Sequence, residues 1–217
     1  MKRNMQLSLV SVFTTSIILV SGTAYGATPT SSGNRLLPVP IGGIALSPGS
    51  TTEIGTITDS QGKVIPIYAT AGIATSATPA QVAAVSGKSI PSGLAASASA
   101  ATSCWSARNY VSYGPSWATL MTYAQTVYWC GNGSTISSQG QNISGSVTAL
   151  GSLTGWQYGG VLSSSATMFY NNWAYQEYTQ GLFHQCAIVT FACTNNKYPY
   201  IYANVYANGT YTAGGGA

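Results

Sequence analysis

The stretch "KYPYIYANVYANGTY", residues 197–211, has the side-chain alternation of an antiparallel β-strand that leads into a tight turn. Two sets of side chains point to opposite faces of this strand: Tyr198, Tyr200, Tyr202 and Tyr206 to one, and Ile201, Ala203 and Val205 to the other. The aliphatic set predicts the face that packs into a core. Asn208 and Gly209 form a dipeptide typical of hairpin turns, so a further short strand is expected after them.

A second aromatic line lies in "NNWAYQEY", residues 171–178, where Trp173, Tyr175 and Glu177 share a face. If this strand neighbours the first one, the two lines form a flat platform. Its candidate ligand-binding residues are Trp173, Tyr175, Glu177, Tyr200, Tyr202 and Tyr206. Aromatic rings present apolar faces to sugar rings, and a carboxylate or amide can bind sugar hydroxyls. The alternative, that these rings pack as core, stays open.

Composition changes at Cys104. All four cysteines, all five tryptophans and thirteen of the fifteen tyrosines lie from this residue onward. Short runs of aromatic and β-branched residues alternate there with turn signals, which predicts an antiparallel β-sandwich over residues 104–217.

An even set of four cysteines in an exported chain predicts two disulfides. Cys104 and Cys130 are equidistant from a turn at Trp117, and Cys186 and Cys193 flank six residues, so we expect these two pairs. The spacing also allows a cross-sheet pair. It lacks the close pairs that zinc sites use, and the chain has a single histidine, so we expect neither a metal nor another cofactor.

Residues 27–103 are rich in Ser, Thr, Ala, Gly and Pro, which predicts a flexible, linker-like segment before the sandwich. Two islands interrupt it. β-Branched runs around "DSQG" predict a hairpin over 53–69. Thr78 and Gln81 form a capping box at the start of a short helix predicted over 79–86.

The N-terminus has the pattern of a signal peptide over residues 1–26. Lys2 and Arg3 precede an apolar run from about residue 7 to 20, and Ala24 and Gly26 suit the cleavage site. An uncleaved anchor is the alternative, but the run falls short of the ~20 residues that span a bilayer. We therefore expect a secreted protein of the extracellular space or cell surface, with no membrane span after cleavage.

Charge excludes several functions. The mature chain has five basic residues and three carboxylates, a net charge of +2, with no basic stripe for nucleic acid. Glu177 is the one side-chain carboxylate of residues 104–217, whereas ordinary glycosidases need two. No G-x-S-x-G motif is present, and paired cysteines leave no free thiol beside His184. We therefore expect a protein that is not an enzyme.

The segments "TVYWCGNGSTI" (126–136) and "GLFHQC" (181–186), followed by a further Cys and "YPYIYANVYANGTY" (198–211), resemble small exported β-rich proteins of Gram-positive bacteria whose function is uncharacterised. Those proteins share a Trp-Cys before an Asn-Gly or Asp-Gly turn, and a Cys pair before a proline and an alternating strand. The resemblance covers the C-terminal half. It implies a β-sandwich and the extracellular space, and it brings no catalytic or binding residues.

Two functional hypotheses follow from these features. The first is a non-catalytic structural or adhesive protein, with like subunits as possible partners, in which the 53–69 segment adds as a strand to the same or a neighbouring subunit. The second is a glycan-binding module that uses the aromatic platform and takes a polysaccharide as its partner.

Overall fold

A computed structural model describes residues 43–59, 61–86, 102–186 and 192–217, without the side chain of residue 194. The predicted signal peptide lies outside the described residues, and so do residues 27–42 and 87–101 of the segment predicted to be linker-like. In chain order the elements are β1 (Ile44–Leu46), β2 (Thr51–Thr58), β3 (Val64–Ala71), β4 (Thr75–Ser76), α1 (Pro79–Ser86), β5 (Ser103–Tyr113), a 3-10 turn (Ser116–Ala118), β6 (Met121–Gly131), β7 (Ile136–Val147), α2 (Ala149–Leu153), β8 (Trp156–Phe169), β9 (Ala174–Cys186), β10 (Cys193–Lys197), β11 (Tyr200–Tyr206) and β12 (Tyr211–Gly216).

Two antiparallel sheets pack face to face, which confirms the predicted all-β sandwich. The first sheet has the order β1-β12-β11-β9-β8, and β10 continues the line of β11 along β9. The second has the order β2-β3-β5-β6-β7, and β4 continues the line of β3 along β5. Both faces that meet are mostly apolar, so the core lies between the sheets.

The core is built from side chains that alternate along the long central strands. Its largest buried members come from both sheets: Trp129, Trp156, Tyr113, Tyr123, Phe183, Met121 and Ile201. The aliphatic face of β11 lies in this core, as the alternation in 197–211 predicts.

The predicted hairpin is present as β2 and β3, and it adds to the second sheet of the sandwich within the same chain, one of the two arrangements that the strand-addition hypothesis allowed. β3 pairs with β5 from Ile67 opposite Tyr113 to Ala71 opposite Asn109. In the same way β1 pairs with β12 in the first sheet. The prediction of a flexible, linker-like segment is therefore wrong for residues 43–59 and 61–86. A boundary at residue 104 does not separate a linker from the folded unit.

The composition was misleading because alanines share the buried face of β3 with isoleucines. β3 buries every second residue, Ile65, Ile67, Ala69 and Ala71, against the other sheet. A high alanine content is typical of a linker. At alternate positions of a strand, however, alanines allow close packing between sheets.

Helix α1 lies where the capping box predicts it. The Thr78 amide donates to Gln81 Oε1 at 2.8 Å, and the Gln81 amide donates to Thr78 Oγ1 at 3.2 Å. The helix packs on the outer face of the second sheet, where the fully buried Val82 contacts Cys104 and Cys130.

The two expected disulfides, Cys104–Cys130 and Cys186–Cys193, are both present. The first joins directly opposed residues of β5 and β6, and the second joins β9 to β10. Within the described ranges, no helix has the length and apolar character needed to cross a membrane.

Candidate functional site

Strands β9 and β11 are neighbours, as the platform hypothesis requires, but their register divides the platform between two faces. Val205 lies opposite Tyr175 and Ala203 lies opposite Glu177, so both platform residues of β9 point into the core. The three tyrosines of β11 point the other way. The prediction of one flat aromatic platform is therefore wrong, because the two lines of alternation are out of phase by one residue.

The tyrosines of β11 lie on the outer face, but Tyr202 is 0% exposed and Tyr206 is also buried. Tyr202 lies opposite Gly214 of β12, and its ring occupies the space that a Cβ at Gly214 would need. Tyr200 is similarly placed over Gly216, and it stacks on Tyr178 with ring centroids 5.8 Å apart. Most of this ring surface is covered, which favours packing over ligand binding.

Trp173 completes the predicted set, directly before the start of β9. It is half-buried, and its ring centroid lies 5.0 Å from that of Tyr206. The indole of Trp173 therefore contacts Tyr206, one of the outer-face tyrosines of β11, and both rings are largely covered.

Glu177 is the most unusual member of the set because it is a carboxyl group inside the core. It is 2% exposed, and its Oε1 accepts a hydrogen bond of 2.6 Å from the Tyr175 hydroxyl. Its Oε2 has no hydrogen-bond partner among the described residues. The buried polar side chains of those residues include no lysine or arginine that could compensate a negative charge.

Burial raises the pKa of the Glu177 carboxyl from its ordinary value of 4.5 to about 7, although the Tyr175 hydrogen bond acts in the opposite direction. The Tyr175 hydroxyl also has a raised pKa, through burial and the neighbouring carboxyl group. Further buried polar groups share this interior: Gln125 donates to Gln141 at 2.7 Å, and Tyr123 bonds to Thr179 across the sheets. The core thus contains polar groups between its apolar side chains.

We expect the oxidised protein to be most stable below about pH 4.5 and to lose roughly 3 kcal/mol of unfolding free energy between pH 4.5 and 7. The folded chain keeps the Glu177 proton up to the raised pKa, whereas the unfolded chain releases it near 4.5, so stability falls as pH rises between the two values. Above about pH 7 the curve should be flat. Urea unfolding from about pH 4 to pH 8 measures this effect.

Glu177→Gln is the matched control for this pH dependence, because the amide has the shape of the protonated acid and does not titrate. The variant should lose most of the decline between pH 4.5 and 7. An identical decline in both proteins, or a wild type that loses stability toward acid, would contradict the account of Glu177.

A different surface feature lies in the connection between β5 and β6. Trp117, on the 3-10 turn, is 86% exposed. The turn is fastened to the body of the sandwich, because the Gly114 amide donates to the Pro66 carbonyl at 2.8 Å. On its other side the Thr148 amide donates to the Leu120 carbonyl at 2.9 Å. The indole is therefore presented by backbone that is hydrogen-bonded on both sides.

Trp117 borders a groove of about 240 Å³, which we name the Trp117 groove. Its lining is chiefly aliphatic and proline side chains: Val64, Ile65, Pro66, Pro115, Leu120 and Leu150. Apart from the indole N–H of Trp117, Lys63 alone among the described lining side chains has a polar group. Such a surface offers apolar contact and few hydrogen bonds.

Two further lining side chains and one nearby in the sequence are large, apolar and exposed. Val64 is 62% exposed, Leu150 46%, and Leu153, at the end of α2, 74%. Exposed apolar side chains that line one groove, as Val64 and Leu150 do, are typical of a contact surface.

Sequence reasoning did not select Trp117 as a functional residue. The spacing of Cys104 and Cys130 predicts a turn at Trp117, and Gly-Pro-Ser directly before this residue (114–116) is a signal that the tryptophan lies in that turn. Alternation places strand residues in or out of a core, but a turn lies outside that pattern. The alternation therefore does not predict whether a tryptophan in a turn is buried or exposed.

The comparisons with known proteins add no relative to this description. The chain matches no protein-family model, no curated protein and no solved structure.

Proposed function

We propose that this chain is a secreted, non-catalytic adhesive protein that attaches to an apolar extracellular surface through the Trp117 groove. The single observation on which this rests is the 86% exposure of Trp117 on a turn fastened to a disulfide-stabilised sandwich. A tryptophan held in water costs solvation free energy that contact with an apolar surface would recover.

The lining of the groove supports an apolar target over a polysaccharide. Sugar-binding sites combine a flat ring with side chains that bond the hydroxyl groups. Here the described lining beside the indole has Lys63 and otherwise apolar side chains. The glycan-binding hypothesis was based on the aromatic platform, whose residues lie on two different faces of the sheet. Tyr202 and Tyr206 are also buried.

Export is part of the same proposal. The two disulfides are compatible with an oxidising compartment outside the cytoplasm. The predicted signal peptide would deliver the chain there.

We expect Trp117→Ala to reduce retention of the oxidised protein on alkyl-coated beads by at least about tenfold, because losing a central tryptophan from a contact surface costs ~2 kcal/mol or more. The melting temperature should change little, since the ring is 86% exposed. Retention of the wild type should persist in about 1 M salt, where a contact made through Lys63 would be screened.

Tyr198→Ala is the matched control. Tyr198 is 45% exposed and lines a separate groove, beside Asn196 and Lys197. This variant should bind like the wild type. Equal losses in the two variants would show that general stickiness, and not the Trp117 groove, explains retention.

Two other outcomes would overturn the apolar target. Retention on an insoluble polysaccharide that depends on Trp117 would favour the glycan-binding alternative. Self-association that grows with concentration in size exclusion and disappears in Trp117→Ala would assign the groove to a second copy of this chain.

A further inference from the structure

A histidine lies beside the more accessible of the two disulfides. His184 and Cys186 are two residues apart on β9 and therefore share a face, and Cys193 lies directly opposite Cys186 on β10. One ring nitrogen of the histidine and the two sulfurs offer three ligand atoms within 4.8 Å of one another. The register of this hairpin thus assembles a compact set of nitrogen and sulfur donors.

Neighbouring residues leave room for the imidazole. A Cβ at Gly159, on the adjacent strand β8, would lie 3.1 Å from His184 Nδ1, so the glycine allows the ring to lie close against the backbone. The side chain is half-buried and held between strands. Its position is therefore defined by packing.

The two disulfides differ in access to a reductant. Cys104 and Cys130 are 6% and 3% exposed, beneath Val82 of α1. Cys193, in contrast, is exposed. Thiol–disulfide exchange requires a thiolate to approach a sulfur, so an external dithiol should open Cys186–Cys193 first.

We propose that selective reduction converts His184, Cys186 and Cys193 into a binding site for a thiophilic divalent cation such as Zn²⁺ or Cd²⁺. An external dithiol gives up two electrons and two protons, becomes a disulfide itself, and leaves two protein thiols. On binding the cation the two thiols release their protons, and the imidazole contributes a neutral nitrogen. In the oxidised protein the sulfurs are bonded to each other, so no such site exists.

The geometry suits this chemistry. Zinc–sulfur bonds of ~2.3 Å and a zinc–nitrogen bond of ~2.0 Å place one nitrogen and two sulfurs of a tetrahedral site roughly 3.5–3.8 Å apart. The three donors already lie within 4.8 Å of one another, so opening the disulfide requires only small side-chain movements to reach this spacing. Three protein ligands leave a fourth position for water. The sequence expectation of no metal rested on the spacing of the cysteines along the chain and on the single histidine. Spacing along the chain does not show which residues the β9–β10 register brings together.

The test treats the full mature protein with a dithiol, removes the reductant without oxygen, and titrates Zn²⁺ and Cd²⁺ separately. We expect one ion per reduced chain, with Cd²⁺–thiolate absorption in the ultraviolet, and none per oxidised chain. His184→Ala should weaken binding by at least about tenfold. The Cys104→Ser/Cys130→Ser double variant should keep the site, and Cys186→Ser/Cys193→Ser should lose it.

A second readout needs no variant. In the reduced wild type, Zn²⁺ should protect Cys186 and Cys193 from alkylation, as mapped by mass spectrometry, while circular dichroism checks that the sheet signal remains. Binding that is unaffected by His184→Ala, zinc that protects no cysteine of this pair, or zinc that binds only after the sheet is lost would each overturn the proposal.

Discussion

A fragment that begins at Thr102 should not fold, even with both disulfides intact. It lacks β1 to β4 and α1, and so loses the buried side chains Leu46, Ile65, Ile67 and Val82. Each large aliphatic side chain contributes ~1.5–3 kcal/mol on burial, so four contribute about 6–12 kcal/mol. That is comparable to the whole free energy of unfolding of a typical domain, ~5–15 kcal/mol.

Near-ultraviolet circular dichroism and thermal unfolding of the fragment, beside the mature chain from residue 27, measure this effect. The mature chain should unfold cooperatively, and the fragment should show no cooperative transition. A fragment that melts like the mature chain would show that the hairpin is an appendage, as its composition suggests.

Local sequence signals predict several elements of this fold, whereas composition does not show which strands pair. The hairpin over 53–69, the helix over 79–86 and both cysteine pairs were predictable because each depends on a local signal: a turn, a capping box, or symmetric spacing about a turn. Addition of the 53–69 segment as a strand was one hypothesis from the sequence, but β5 as the partner of β3 was not predictable, since strand pairing across a long separation depends on which edges remain free. Alanines such as Ala69 and Ala71 are common both in linkers and in close-packed strands, so their presence does not distinguish the two.

Tyr202→Ala should destabilise the protein by about 3–5 kcal/mol, the range for removing a large buried aromatic side chain. Tyr202 is 0% exposed, and its ring lies against Gly214 of the neighbouring strand. Alanine would leave a cavity that the glycine strand cannot fill. Denaturant unfolding of the oxidised protein at one fixed pH measures the change.

Two controls sharpen the result. Tyr202→Phe should retain nearly full stability, because the Tyr202 hydroxyl is buried without a hydrogen-bond partner among the described residues. Tyr198→Ala, at a residue that is 45% exposed, should cost little. If Tyr202→Ala is as stable as the wild type, the ring is not part of the packed structure, and the outer face regains its place as a ligand-site candidate.

The candidate site was harder to predict than the fold, for a geometric reason. Alternation assigns faces within a strand, but the relative phase of two strands depends on their register. A shift of one residue between β9 and β11 separates Glu177 from Tyr202 by the thickness of the sheet. The exposure of Trp117 was not predictable because a residue in a turn does not follow the alternation of a strand.

Adhesion through the Trp117 groove requires that Trp117 itself contacts the apolar surface. The most direct measurement labels the five tryptophans with 5-fluorotryptophan and follows their fluorine resonances while micelles of an uncharged alkyl detergent are added as an apolar surface. Trp117→Phe assigns the resonance of interest. Trp129 and Trp156 are internal references, because they are 0% and 1% exposed.

The account predicts that the Trp117 resonance shifts or broadens at the lowest detergent concentrations while those of Trp129 and Trp156 stay in place. A Trp117 resonance that remains unchanged while the protein binds the micelles, or that changes only together with the buried tryptophans as the fold is lost, would contradict the assignment of adhesion to the Trp117 groove.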